Sequence, residues 1–104
     1  MQTIIIKLDP SKLGNPDLDM RYSVPERIEE ISGGAVSDDG YDYLEDNSLG
    51  LWLKANCADE SYPMIVELLK SEKFSDNDLS LSAEIYISEK ECDDIENCKK
   101  VFPL

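Results

Sequence analysis

The chain has 104 residues, 41% hydrophobic side chains and a formal charge of −13, which comes from 23 carboxylates and 10 basic side chains without a histidine. This length suits one domain with a single core, and the hydrophobic content excludes an acidic disordered chain. The negative field repels nucleic acid and anionic membranes and attracts cationic partners, so we expect a binding protein with no nucleic-acid or membrane partner.

The first predicted elements are a strand and a helix. Residues 3–8 form an apolar run rich in β-branched isoleucine, which is typical of a central strand buried on both faces. Residues 23–26, Ser-Val-Pro-Glu, match a capping box, and an apolar stripe continues from there. The sequence therefore predicts a helix over residues 24–32, which Gly33 and Gly34 end.

A hairpin, a second helix and a last strand follow. Residues 41–44 and 49–55 flank a polar turn, and the strict alternation from Leu49 to Ala55 places the leucines on one face and Trp52 on the other. A helix is predicted over residues 59–73, with acids in its first turn and lysines in its last. The strand at residues 79–88 is expected to direct Leu81, Ala83, Ile85 and Ile87 inward.

The element order β-α-β-β-α-β predicts an α+β two-layer sandwich of the ferredoxin-like, split βαβ type. We expect one domain over residues 1–104, with a four-stranded antiparallel sheet and both helices on one face. Residues 89–104 are interpreted as an acidic connector and a C-terminal tail, either frayed or docked. On this interpretation the uncovered sheet face carries the following residues: Thr3, Ile5, Tyr41, Tyr43, Trp52 and Tyr86.

The usual catalytic and metal-binding groups are missing. Without histidine, a cysteine or serine nucleophile has no ordinary base. Cys57, Cys92 and Cys98 lack both the spacing and the fourth ligand of a zinc site. Residues 76–80 begin like a calcium loop, but the positions that require Gly and Glu hold Leu81 and Ile87. We therefore expect no enzyme activity, no metal and no cofactor.

An acidic hairpin is the candidate binding site. Five carboxylates fall within nine residues with no basic side chain between them, and aromatic side chains, which make efficient interface anchors, lie close by. Whether the hairpin or the aromatic sheet face binds is left open, and so is a purely solvated hairpin without a role. The predicted site consists of Asp38, Asp39, Tyr41, Asp42, Tyr43, Glu45, Asp46 and Trp52.

The N-terminal residues lack the basic and long apolar regions of a secretory signal, and no apolar run is long enough to span a membrane. An odd number of cysteines at unremarkable spacing fits a reducing compartment. We expect a cytoplasmic protein that is a monomer or a weak homodimer.

The chain resembles a family of small acidic bacterial proteins encoded beside polymorphic toxins, the immunity proteins of contact-dependent growth inhibition systems. The resemblance covers most of the chain and rests on size, charge, layout and four stretches: Ile4-Ile5-Ile6-Lys7-Leu8-Asp9-Pro10, Asn15-Pro16-Asp17-Leu18-Asp19, Gly40-Tyr41-Asp42-Tyr43 and Ala83-Glu84-Ile85-Tyr86-Ile87. It implies a cytoplasmic protein that binds a toxin domain, often a basic nuclease, and blocks its active site or another necessary surface.

One alternative function belongs to a different class. Small-molecule regulatory domains of the ACT type share the predicted element order. Their ligand loop after the first strand usually has an Asp-x-Pro-Gly pattern, from which Asp9-Pro10-Ser11-Lys12 departs.

Overall fold

The computed structural model describes residues 2–9, 11, 19–44, 47–74, 77–91 and 95–103. Over these residues the chain has an α+β architecture of five strands and two α-helices, with short 3₁₀ turns near residues 80 and 96. The elements are β1 (Gln2–Leu8), α1 (Met20–Ile31), β2 (Val36–Tyr43), β3 (Leu49–Ala55), α2 (Ala58–Ser71), β4 (Ala83–Ser88) and β5 (Lys99–Phe102).

All strand pairs are antiparallel, in the order β2-β3-β1-β4-β5. The prediction that the first strand lies inside the sheet is confirmed, since β1 pairs with β3 on one side and β4 on the other. Ile4, Ile5 and Ile6 have no exposed surface. The two edges of the sheet are therefore β2 and β5.

The sheet has five strands, where the sequence predicts four. The additional strand is β5, formed by the tail and paired with β4. Val101 is only 6% exposed, and Phe102 packs against the core. Burial of these two apolar side chains explains why the tail docks, whereas so short an apolar segment gives a weak strand signal.

Both helices pack on one face of the sheet, as predicted. Ile4 and Ile6 of β1 lie opposite Leu53 and Leu51 of β3, and all belong to one buried cluster. The same cluster contains buried side chains of both helices, among them Val24, Ile28, Ile65 and Leu69. We call this side of the sheet the helix face and the other side the open face.

Helix α1 begins one turn earlier than predicted, at Met20. The backbone N–H of Ser23 donates to the carbonyl of Asp19 at 2.9 Å, so Ser23 lies inside the helix and is not its cap. Met20 is 2% exposed and extends the apolar stripe of Val24 and Ile28 towards the N-terminus, whereas Ile31 is 36% exposed. Burial of Met20 therefore outweighs the local capping signal.

Leu81 does not point inward as predicted. It ends a 3₁₀ turn and is 80% exposed, and β4 begins only at Ala83. The side chain of Asp78 accepts a hydrogen bond from the N–H of Ser80, which caps this turn. A capped turn interrupts the period-two pattern that the sequence suggests from residue 79.

Leu51→Ala and Leu81→Ala form a matched pair that tests this packing. Leu51 is fully buried, so its truncation should lower the free energy of unfolding by about 2–5 kcal/mol. Leu81→Ala should change the free energy of unfolding by less than about 0.5 kcal/mol, because its side chain already contacts solvent. Urea unfolding followed by circular dichroism measures both, and similar losses in the two variants would contradict the assignment.

Candidate functional site

The predicted acidic hairpin lies in the edge strand β2, which contains a bulge. Asp38 pairs with Leu53 and Tyr41 pairs with Leu51, so Asp39 and Gly40 together lie opposite Trp52. Gly40 has a φ of +105°, a conformation that side chains other than glycine rarely adopt. This glycine allows the extra residue to be inserted without breaking the strand.

The bulge separates residues that the sequence places on one surface. Tyr41 and Tyr43 pair with Leu51 and Leu49, so both tyrosines lie on the helix face. The prediction that they share the open face with Trp52 is therefore wrong. Because side chains alternate along a strand, one inserted residue moves every later side chain of β2 to the other face.

Tyr41 and Tyr43 instead join Tyr22 of α1 in a cluster at the sheet edge. The Tyr22 and Tyr41 rings meet edge to face, with centroids 6.1 Å apart. The Arg21 guanidinium lies 4.5 Å from the Tyr22 ring centroid and 5.2 Å from that of Tyr41. Tyr22, Tyr41 and Tyr43 are 52%, 42% and 49% exposed. We call these four residues the tyrosine cluster.

Arg21 determines the electrostatics of this cluster. A hydrogen bond with Arg21, assisted by its positive charge, holds the pKa of Tyr22 below its ordinary value. Reciprocally, the hydrogen bond with Tyr22 raises the pKa of Arg21. The arginine is thus held against the aromatic rings, which restricts their orientations.

Carboxylates continue this surface along α1. Tyr22, Glu26 and Glu29 are spaced by four and three residues, so they share one side of the helix. Both glutamates are exposed. Sequence reasoning identified Tyr41 and Tyr43 but missed Arg21, Tyr22 and these glutamates. The spacing of Tyr22 and Glu26 indicates that they share one side of α1, but it does not indicate that this side lies next to β2.

The predicted aspartates have local roles in β2. Asp38 accepts a hydrogen bond from the Gly40 N–H, and Asp42 accepts one from the Tyr43 N–H, each at 2.8 Å. Asp39 forms an ion pair with Lys54 at 3.3 Å. All three aspartates are exposed. Glu45 and Asp46, which also belong to the predicted site, lie outside the described residues.

Trp52 lies on the open face, whereas Tyr41 and Tyr43 lie on the helix face. Its six-membered ring covers Gly50, where an added Cβ would lie 2.5 Å from Trp52 Cζ3. Its Nε1 is buried and has no hydrogen-bond partner among the described residues. Together with Asp39, Gly40, Tyr41 and Asp42 it borders a hollow of about 250 Å³, which therefore brings together four of the predicted site residues.

The centre of the open face is an apolar strip surrounded by charge. Ile5 has no exposed surface because Trp52 and Tyr86 flank it on the neighbouring strands. Glu84 lies 2.9 Å from the ammonium group of Lys100 and 3.9 Å from that of Lys7. The Tyr86 hydroxyl donates to the same carboxylate at 3.1 Å.

A larger hollow of about 760 Å³ lies where β4 and β5 approach the start of α2. Its lining includes Lys90 and Lys99 but also Asp59 and Glu89, so these charges cancel. This mixed lining favours no one class of small molecule. The loop in which a regulatory domain of the ACT type would hold its ligand lies mostly outside the described residues.

Among the residues that the structure describes, no three cysteine, aspartate or glutamate side chains are grouped closely enough to hold a metal ion. Asp38, Asp39 and Asp42 are thus separate surface carboxylates and not a ligand set. Over the same part of the chain, neither helix is sufficiently long and apolar to cross a membrane.

Comparisons with known proteins found no matching family model, no matching curated protein and no matching solved structure. The candidate site therefore rests on the geometry of this chain alone.

A pH titration of tyrosinate absorbance tests the tyrosine cluster. Tyr22 should ionise at lower pH than Tyr86, because Arg21 lowers the pKa of Tyr22 whereas burial raises that of Tyr86. The earliest titrating component should be absent in Tyr22→Phe and should move to higher pH in Arg21→Met. An Arg21→Met titration identical to that of the unsubstituted protein would contradict the contact.

Glu84→Gln tests the charge network on the open face. The hydrogen bond with Lys100 is the main cause that lowers the pKa of Glu84, and it outweighs the effect of burial. A carboxyl group whose pKa is lower in the folded than in the unfolded state stabilises the protein at pH values above the unfolded-state pKa. This stabilisation is lost as the pH falls through the folded-state pKa.

We therefore expect Glu84→Gln to destabilise the protein at neutral pH and to be nearly neutral in strong acid, where the carboxyl is protonated. Urea unfolding over a pH series measures the difference. Glu67→Gln, which removes an exposed carboxylate from α2, is the matched control and should show no such loss at neutral pH. A constant destabilisation by Glu84→Gln at every pH would contradict the network.

Proposed function

We propose that this chain is a non-catalytic binding protein, a cytoplasmic immunity protein that neutralises a basic toxin domain such as a nuclease. The observation that carries the proposal is the tyrosine cluster: the exposed rings of Tyr22 and Tyr41 meet around Arg21, and exposed Tyr43 lies on the same face, at the edge of a molecule with a net charge of −13. Tyrosine and arginine are the residue types that most often dominate the binding energy of protein interfaces.

The cluster is suited to anchoring a partner. A tyrosine ring buries a large area and loses little conformational freedom on binding, and Arg21 already orients two of the rings. The other large hydrophobic residues of the described chain that are at least 36% exposed are Ile31 and Leu81. The tyrosines thus form the main aromatic contact surface proposed here.

The surrounding carboxylates favour a cationic partner. Glu26 and Glu29 lie on the side of α1 that carries Tyr22, and Asp38 is exposed on the helix-face side of the strand that carries the other two rings. Opposite electrostatic fields accelerate association above the roughly 10⁵–10⁶ M⁻¹s⁻¹ of unsteered protein pairs. Fast capture is what an inhibitor of a toxin requires, and acidic side chains also resemble the phosphates that a nuclease binds.

We also propose that the core is a ferredoxin-like, split βαβ arrangement with β5 added at one edge. The register supports this assignment. β1 and β2 run parallel with β3 between them, and β3 and β4 run parallel with β1 between them. Each parallel pair is joined by a helix, which is the defining feature of a split βαβ unit.

The direct test is co-expression with the protein encoded beside this gene. If that neighbour is a toxin, the chain should relieve its growth inhibition and form a stable complex with its toxic domain. Relief of growth inhibition without binding, or binding without relief, would contradict the proposal.

Charge neutralisation tests the steering. A variant that replaces three carboxylates near the tyrosine cluster should associate with the toxin domain roughly tenfold more slowly and with a weaker dependence on salt. The substitutions are Glu26→Gln, Glu29→Gln and Asp38→Asn, in which the asparagine retains an acceptor oxygen for the Gly40 N–H.

The matched control neutralises the same number of exposed carboxylates elsewhere: Glu60, Glu67 and Glu91. Surface plasmon resonance provides both rate constants. Equal slowing in the two variants would show that net charge alone steers the partner and that the tyrosine cluster is not the site.

Truncation of the rings tests the anchors. Tyr41→Ala and Tyr43→Ala should mainly accelerate dissociation from the toxin domain, each with a loss of about 2 kcal/mol or more if the ring is a dominant contact. Trp52→Ala is the control, because Trp52 lies on the open face. A larger effect of Trp52→Ala than of either tyrosine variant would move the binding site to the open face.

A further inference from the structure

The open face differs in charge from the rest of the molecule. Its strands carry three lysines, Lys7, Lys54 and Lys100. Three carboxylates, Asp39, Asp42 and Glu84, lie on the face or at its edge. The charges of these six strand residues cancel, so the other residues of the chain together carry the net charge of −13. Two copies of this protein repel each other in most orientations. The open face is a surface through which they can approach without that repulsion.

One row of side chains crosses the open face from edge to edge. Asp39 and Gly40 lie opposite Trp52, Trp52 opposite Ile5, Ile5 opposite Tyr86, and Tyr86 opposite Lys100. The row therefore runs from a carboxylate through an aromatic ring, an isoleucine and a second aromatic ring to an ammonium group. We call it the central row.

The central row is complementary to itself under a two-fold rotation. A two-fold axis parallel to β1, between two facing sheets, places β2 over β5, β3 over β4 and β1 over β1. Asp39 of one copy then faces Lys100 of the second copy, and Trp52 faces Tyr86 of the second copy. Ile5 has no exposed surface, so it lies beneath this contact and does not itself touch the second copy.

We propose that the open face binds a second copy of this chain in this two-fold arrangement. Facing sheets pack about 10 Å apart with their strands within about 30° of each other, a geometry that the central row permits. The charges at its ends are already ordered by ion pairs within the chain, Asp39 with Lys54 at 3.3 Å and Lys100 with Glu84 at 2.9 Å.

The size of the face predicts a weak dimer. Five strands about 4.8 Å apart and about six residues long cover roughly 480 Å². Stable interfaces bury about 800 Å² on each partner, so the dimer forms at micromolar or higher concentration. The tyrosine cluster lies on the helix face. Dimer formation and the proposed binding of a toxin therefore use different surfaces and can fail independently.

Sedimentation velocity of the full chain from about 10 µM to about 1 mM measures this association. We expect the dimer fraction to rise with concentration and from low to moderate salt, since salt screens the repulsion between the net charges. Trp52, the single tryptophan, should report the same transition in fluorescence. A monomer at every concentration and at both salt levels would overturn the proposal.

A charge exchange between copies tests the specific contacts. Asp39→Lys and Lys100→Glu each place like charges at both ends of the central row of a homodimer, so each variant should dimerise roughly tenfold or more weakly. A mixture of the two variants forms a heterodimer in which both contacts join opposite charges. Mixing should therefore restore dimerisation to near the level of the unsubstituted protein.

Circular dichroism and thermal unfolding of the separate variants establish that each is folded, and the mixing step provides the result that misfolding cannot imitate. Tyr43→Ala, at the tyrosine cluster, is the matched control and should dimerise normally. Absence of heterodimers from the mixture, or loss of dimerisation in Tyr43→Ala, would overturn the two-fold arrangement.

Discussion

The inserted residue in β2 determines which side chains share a surface in this protein. Asp38 pairs with Leu53, and Tyr41, three residues later, pairs with Leu51, which is only two residues from Leu53. The positive φ of Gly40 makes that step possible. Without the inserted residue, Tyr41 and Tyr43 would lie on the open face beside Trp52. The helix face at the β2 edge would then lack two of its three exposed tyrosine rings.

This separation coincides with a separation of charge. The helix side of the β2 edge combines exposed tyrosines with the carboxylates of α1 and β2, whereas charges on the open face largely compensate each other. A molecule with a net charge of −13 thus has one surface suited to a cationic partner and another suited to a copy of itself. Salt affects the two associations in opposite directions, because it screens attraction in the first and repulsion in the second.

Much of the fold could be predicted because its signals are local. The isoleucine run of β1, the alternation in β3 and the amphipathic α2 each identify an element, and the layout of both helices on one face follows from their order. The candidate site was less predictable. A Ser-Asp-Asp-Gly stretch is typical of a turn, and nothing in its composition indicates that the strand continues through it with one extra residue. Tyr22 and Arg21 reach the site only through tertiary packing, which periodicity does not encode.

The hydrogen bonds of Asp38 and Asp42 have a consequence for the sheet as a whole. An edge strand normally offers a row of free backbone donors to which another strand can be added. In β2 the N–H groups of Gly40 and Tyr43 are already engaged by aspartate side chains of the same strand. The bulge further distorts the row, and the two aspartates add negative charge to this strand. The sheet is therefore protected at this edge against continued growth by strand addition, the route by which exposed edges lead to aggregation.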